Sequence, residues 1–158
     1  MQKRILVISD SHGSNNLMMK IIEKEAADLV IHAGDYCTSL LTMKQYFHHF
    51  INGNNDYDWK DIDLFSYSGY RFLLIHGHQY WSWNETKWYE KLREFGVTNK
   101  ADIVIFGHSH KDFIDTTHKP FLFNPGSISL PRKASFEKSY GIIEIDDKQN
   151  LKFKIKFA

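Results

Sequence analysis

Apolar residues in this chain fall into short unbroken runs, and most of these runs stop at a polar turn containing glycine. Ile5–Ile8 is the first, four apolar residues between polar neighbours, which predicts a strand buried on both faces. Ser9, Asp10 and His12 follow at once; if the backbone stays extended there, residues two apart point the same way and a carboxylate and an imidazole converge. Asn15–Glu25 sets Leu17, Met18, Ile21 and Ile22 at helical spacing, with Ser14 or Asn15 placed to cap the helix. Leu29–His32 is a second strand-like run, ending in Ala33-Gly34-Asp35. The order strand, helix, strand suits a right-handed crossover and a parallel sheet. Ser39–Phe47 reads as another helix turning Leu40, Leu41 and Met43 inward, and Phe50 and Ile51 lead into Gly53-Asn54-Asn55-Asp56.

Farther on, Leu64–Tyr67 and Tyr70–Ile75 flank Ser68-Gly69 as a hairpin, with glycine supplying the positive φ. Its second arm ends in His76-Gly77-His78. A helix is expected from Glu85 to Phe95 with Gly96 as its stop. Ala101–Phe106 is a third buried strand, ending in Gly107-His108-Ser109-His110. Phe113–Thr117 and Pro120–Phe123 form a hairpin with His118 at an exposed tip. Tyr140–Ile145 then turns into Leu151–Phe157, where Lys152, Lys154 and Lys156 alternate with apolar residues. That alternation predicts one face on the core and one in water, with lysines discouraging edge pairing.

No repeat, linker or low-complexity tract interrupts this pattern, so residues 1–158 read as a single domain with room for a sizeable core. The apolar fraction of 42% argues against disorder. Twenty basic residues against nineteen acidic ones give a net charge of +1, so no global field recruits nucleic acid, and no stable nucleic-acid binding is expected. The lone Cys37 excludes an internal disulfide and fits a reducing compartment. No apolar run reaches transmembrane length and Met1 leads straight into the first strand, so no membrane association and a cytoplasmic location are expected. The unusual count is nine histidines in 158 residues.

Five of the apolar runs end in turns carrying Asp10 and His12, Asp35, Asn54, His76, and His108 with His110. In α/β sheets, sites form beyond the carboxyl ends of the strands. Imidazole, carboxylate and amide oxygen without thiolate suit divalent manganese, iron, zinc or nickel, with manganese the leading choice. The count favours two cations: Asp10, His12 and His110 for one, Asn54, His76 and His108 for the other, and Asp35 as the bridge. Two-metal sites of this kind hydrolyse phosphate esters through a bridging hydroxide.

Asp-x-His, Gly-Asp, Gly-Asn-x-Asp, His-Gly-His and Gly-His-x-His, in this order, resemble the calcineurin-like metallophosphoesterase superfamily. The short length and Asn124-Pro125-Gly126-Ser127 resemble its compact bacterial and archaeal phosphodiesterase branch. The resemblance implies an α/β fold, a four-layer αββα sandwich of two mixed β-sheets flanked by helices, with a dinuclear centre at one edge. It implies the same seven ligands, with Asn54 and His76 also steadying the phosphate. Many members carry a histidine where this chain has Asn55, which cannot titrate; the general acid is therefore left open among Asp56, His78 and water. Poor leaving groups should suffer from that loss, which favours diesters over monoesters. Arg132 is a candidate phosphate contact, and His32 is expected to sit behind the ligands rather than among them. His48 and His49 read as core-edge residues. Tyr80, Trp81, Trp83 and Trp88 depart from the family pattern and read as a packed surface, a dimer contact or a stacking wall for a base.

The expected activity is metal-dependent hydrolysis of a small phosphodiester or nucleotide-like substrate, with a homodimer left open. The alternatives are a catalytically weak binding scaffold on the same fold, which the retromer subunit of this superfamily exemplifies, and a phosphomonoesterase.

Overall fold

The computed structural model describes residues 2–132 and 135–158. Its elements are β1 (Lys3–Ile8), α1 (Asn15–Glu25), β2 (Leu29–His32), α2 (Leu40–Tyr46), β3 (His49–Phe50), β4 (Ile62–Tyr67), β5 (Tyr70–Ile75), α3 (Glu85–Thr98), β6 (Ile103–Ile105), β7 (Phe113–Asp115), β8 (Phe121–Asn124), β9 (Ser139–Ile145) and β10 (Leu151–Phe157). They build two five-stranded sheets, ordered β10-β9-β1-β2-β3 and β4-β5-β6-β8-β7. Both are mixed: β1, β2 and β3 run parallel, as do β5, β6 and β8, while the outer partners are antiparallel.

The unbroken apolar runs have their explanation in layering. Along β1, Ile5 and Val7 face the second sheet, while Leu6 and Ile8 face α1 and α2. Along β5, Phe72 and Leu74 meet the first sheet, while Leu73 and Ile75 meet Trp88 and Leu92 of α3. Strands covered on both sides cannot alternate with polar residues, because each face removes apolar area from water. Helix, sheet, sheet, helix is therefore the order of layers.

The hairpin between β4 and β5 pairs Tyr67 with Tyr70, and its turn carries φ of 50° at Ser68 and 86° at Gly69. Two positive values match the twist of the flanking strands.

Local expectations fail where packing outweighs pattern. Leu41 is 79% exposed; in a helix as short as α2 the inward side is buried Met43 with partly buried Leu40, and Leu41 lies about a hundred degrees around from Leu40. Gly96 lies inside α3 and is no stop. A Cβ there would sit 2.6 Å from Val104 Cγ2 and 2.8 Å from Pro120 Cγ, so glycine lets the helix close on its sheet. Ser14 precedes α1 without a side-chain capping bond, and the Asn15 amide donates instead to Thr38 Oγ1 at 2.7 Å. On the edge strand β10, Lys152 is exposed, whereas Lys154 and Lys156 lie half-buried against Glu144 and Glu25 at 2.7 and 3.1 Å. Among the described residues no helix is long and apolar enough to cross a membrane.

Candidate metal centre

All the parallel strands that bear candidate ligands deliver their carboxyl ends to one rim. Asp10 and His12 follow β1, Asp35 follows β2 and Asn54 follows β3; His76 follows β5, and His108 and His110 follow β6. The first sheet thus supplies four of these residues and the second three. Glycine makes the approach of the sheets sterically feasible. A Cβ on Gly107 would lie 2.1 Å from Ser9 Oγ and 2.6 Å from Asp10 Oδ2, and one on Gly34 would lie 2.6 Å from His76 Nδ1.

The convergence of Asp10 with His12 is not that of an extended strand. Asp10, His12, Asp35, His108 and His110 all adopt left-handed backbone, with φ of 51°, 44°, 58°, 69° and 60°. Non-glycine residues reach this region at a cost of roughly 1–2 kcal/mol each, and surrounding hydrogen bonds hold them there. The Asp10 N–H donates to Gly34 O at 2.9 Å and the His12 N–H to Asp35 O at 3.0 Å. Ser127 and Ser129 hydroxyls both donate to the Asp10 carbonyl at 2.8 Å.

These turns leave lone pairs aimed at a common centre. Asp10 Oδ2 accepts from Ser9 Oγ at 2.6 Å and from the His108 N–H at 3.1 Å. Asp10 Oδ1 is left facing the cleft, 3.2 Å from His110 Nε2, 3.6 Å from His76 Nε2 and 3.9 Å from His12 Nε2. Asp35 Oδ2 lies 3.5 Å from His76 Nε2 and 3.6 Å from His12 Nε2. Carbonyl oxygens fix the tautomers from behind: His76 Nδ1 donates to Ala33 O at 2.7 Å and His110 Nδ1 to Leu130 O at 2.6 Å. In a neutral ring this leaves the Nε2 lone pair free, the usual support for a metal-binding imidazole. Asp10 Oδ1 and His76 Nε2 are buried with no hydrogen-bond partner among the described residues.

The donor set fits a divalent cation. Ligand atoms of Asp10, His12, Asp35 and His110 all lie within 4.8 Å of one another. Metal–ligand bonds of about 2.1 Å in tetrahedral geometry place neighbouring ligand atoms about 3.4 Å apart, and the His12 and His110 Nε2 atoms lie 3.4 Å from each other and 3.2–3.9 Å from the nearby carboxylate oxygens. Beside this group, His108 Nδ1 lies 3.3 Å from Asn54 Oδ1, and the rings of His76 and His108 are 5.3 Å apart.

The local field carries the same imprint. Burial opposes ionisation of Asp10, but the His76 and His110 imidazoles and the Ser9 hydroxyl hold its carboxyl below the usual range. Burial likewise opposes ionisation of Asp35, which His76 and Asn55 bring well below that range. Burial would push His76 down, yet the two carboxylates lift it to about 9. His108 goes the other way, pushed to about 4 by burial and by His76. Two carboxylates and three imidazoles close on one centre, with His108 beside them at Asn54, an arrangement whose charge and spacing fit a cation.

Other expected residues take different places. Asp56, read as a candidate proton donor, is turned inward and accepts from the backbone N–H groups of Asp35 at 2.7 Å, Gly53 at 2.8 Å, Cys37 at 3.0 Å and Tyr36 at 3.3 Å. Four donors occupy its oxygens, so it braces the Asp35 and Asn54 turns rather than facing a leaving group. His78 is half-buried with its ring 5.5 Å from His76, and burial pushes its imidazole down. Arg132 lines the cleft with His12, Asp35, Asn54, Asn55, His108 and His110. His32 is buried behind the ligands, accepting from the Gly34 N–H at Nδ1 and meeting Ser11 Oγ at 2.8 Å. His48 accepts from the Val30 N–H at 3.0 Å, and His49 pairs with Asp63 at 2.9 Å. Of the aromatic segment, Trp88 is core, with Nε1 donating to Gly77 O at 2.8 Å, while Trp83 is 91% exposed.

Two positioning residues had no role assigned from sequence. Asn55 donates to both Asp35 oxygens, from its backbone N–H at 2.9 Å and its amide at 3.0 Å. Asn124 donates to Gly107 O at 3.0 Å and Ser109 Oγ at 3.1 Å, fixing the turn that carries His108 and His110. The Asn-Pro-Gly-Ser run was the available signal for Asn124.

The sequence model of the calcineurin-like phosphoesterase superfamily domain matches residues 4–148. A Mycoplasma genitalium protein named a probable metallophosphoesterase is 36% identical over 137 residues, 87% of this chain and 84% of its own. The Escherichia coli K12 phosphodiesterase YfcE is 32% identical over 76 residues, 48% of this chain and 35% of its own. A phosphoesterase-type crystal structure from Streptococcus pneumoniae superposes with a TM-score of 0.80 at 22% identity, covering 100% of this chain and 99% of that one. Entamoeba histolytica Vps29 complexed with zinc gives a TM-score of 0.70 at 17% identity, covering 98% of each chain, and shares the fold. With the family match running from within β1 to just past the end of β9, the chain belongs to the calcineurin-like phosphoesterase superfamily.

Proposed function

We propose that this metallophosphoesterase is a phosphodiesterase working with two divalent cations, manganese first among manganese, iron, zinc and nickel. Asp10, His12 and His110 would hold one, Asn54, His76 and His108 the other, and Asp35 both. The observation that carries the reading is the pair of buried, unpartnered atoms Asp10 Oδ1 and His76 Nε2, facing each other at 3.6 Å. Leaving such atoms bare costs a few kcal/mol, a cost that would be removed as each meets the cation it is assigned to. Such cations, when bound, supply an activated water and neutralise charge on phosphorus.

The chain's own residues do the rest. The cleft lined by His12, Asp35, Asn54, His108 and Arg132 encloses about 110 Å³, far below the roughly 300–1,000 Å³ of a site that swallows a whole ligand. It admits the phosphoryl group and leaves the ester arms on the surface. Asn54, His76 and the Arg132 fork orient the phosphoryl oxygens. Asn55 is engaged with Asp35 and cannot deliver a proton, which favours diesters with good leaving groups; His78 and water remain as donors. A small phosphodiester or nucleotide-like compound is the substrate class.

The test is element-resolved metal content of chelator-free protein, then turnover of an activated diester and its monoester with manganese. We expect diester turnover at least tenfold above monoester, and Asp35→Asn to reduce it more than a hundredfold with its metal-free melting curve within a few degrees of the parent. Metal bound without turnover would leave a scaffold on this fold, and equal turnover would make it a general phosphatase.

A further inference from the structure

Trp83 stands 91% exposed at the start of the α3 approach. A tryptophan left in water forgoes a large part of the burial free energy available to the biggest side chain. It is not isolated, however. Its ring meets Trp81 edge-on at 5.7 Å, and Trp81 in turn meets His108 edge-on at 5.0 Å. Trp81 is anchored from below by the buried Trp88 at 4.9 Å. A continuous file of aromatic rings therefore leads from a candidate metal ligand to open surface, with its inner members fixed and its outermost one free.

The size of the cleft says what such a file faces. With room for little beyond a phosphoryl group, a substituent on phosphorus lies outside the cleft, and His108, which lines it, is the residue that joins it to the surface of Trp81 and Trp83. Trp83 is one ring removed from His108, which is the kind of gap a sugar spans between its phosphate and its base. Indole faces bind any nucleobase by stacking, with little regard to sequence.

We propose that Trp83, held in place by Trp81, is a stacking subsite for the nucleobase of a nucleotide-type phosphodiester. The proposal deepens the phosphodiesterase reading of the same cleft and rests on it for the placement of the phosphate. Trp83 sets specificity here; it does not touch the reacting atoms.

Two phosphates differing only in the base test it. On manganese-loaded protein, AMP should bind about 5–150-fold more tightly than ribose 5-phosphate by titration calorimetry, the range that loss of one base–aromatic stack covers. Trp83→Ala should bring that ratio near one, while Trp83→Phe should keep most of it. Because Trp83 is exposed, neither change threatens the fold. A wild-type ratio below two, or a ratio untouched by Trp83→Ala, overturns the proposal. So does a Trp83→Ala protein that sediments as a monomer where the parent is a dimer while keeping the AMP preference, since Trp83 would then be a subunit contact. Turnover of an activated diester by the same preparations is read separately: a Trp83-dependent AMP preference without turnover supports the subsite and sinks the phosphodiesterase reading, and turnover without the preference does the reverse.

Discussion

Replacing Asp56 with asparagine alters the hydrogen-bonding sense of one atom and leaves the volume unchanged. Asp56 Oδ2 accepts from the Asp35, Tyr36 and Gly53 N–H groups, and Oδ1 from that of Cys37. The best Asn rotamer keeps its oxygen on the first three donors and turns its amide toward the Cys37 N–H. One charge-assisted bond is lost and two donors then face each other, which costs about 1.5–3 kcal/mol. Asp56→Ala strands all four donors; at about 1–1.5 kcal/mol each, allowing for water near exposed Cys37, the loss is about 3–6 kcal/mol, a large share of typical domain stability. Urea unfolding of metal-free protein in chelator should show a lower midpoint for Asp56→Asn with an unchanged slope, and thermal melting a drop of about 4–10 °C. Diester turnover should fall in parallel, because the brace spans the turns of Asp35 and Asn54. Were Asp56→Asn to lose more than a hundredfold in activity with its midpoint at the wild-type value, Asp56 would be a proton donor and the bracing argument would be wrong.

Glu25 is buried and ion-paired to Arg4 at 2.7 Å and Lys156 at 3.1 Å, and it also accepts from the Tyr140 hydroxyl. Burial opposes its ionisation, but Tyr140, Lys156 and Arg4 prevail and hold its carboxyl below the ordinary value of 4.5. A depressed folded-state value means stabilisation that is complete above pH 4.5 and lost as pH falls through that depressed value. Glu25→Gln should cost about 2–3 kcal/mol at pH 7, discounted for partly exposed partners, and the gap to the parent should narrow in urea melts below pH 4.5; a gap constant from pH 7 to 3 would refute the linkage. Gly107→Ala drives a methyl to 2.1 Å from Ser9 Oγ and 2.6 Å from Asp10 Oδ2, so manganese affinity by calorimetry should fall at least tenfold, and an unchanged affinity would show that the sheets can part at no cost.

Much of this centre was legible because strand ends are written in the sequence as apolar runs that stop. The runs before Asp10, Asp35 and His108 predict buried strands, and each stops at a turn that carries a ligand-type side chain. What could not be read was geometry that depends on partners far along the chain. Asp10 and His12 converge through left-handed backbone held by Gly34 and Asp35 carbonyls, a conformation no local pattern announces. Asp56 stood as a candidate acid because Asn55 beside it cannot titrate; four N–H groups, three of them from residues 35–37, occupy its oxygens. Leu41 and Gly96 were misread by rules of periodicity and helix termination that packing against α2's short stripe and against Val104 and Pro120 overrules.

Because each sheet brings an incomplete share of the donors, occupancy of the centre is also a clasp between the two halves of the sandwich. Holding a cation would then slow any parting of the seam, so amide protons of β1 and β6, the strands leading to Asp10 and His108, should exchange more slowly in manganese than in chelator. The chemistry at the rim and the mechanical integrity of the seam would rise and fall as one quantity.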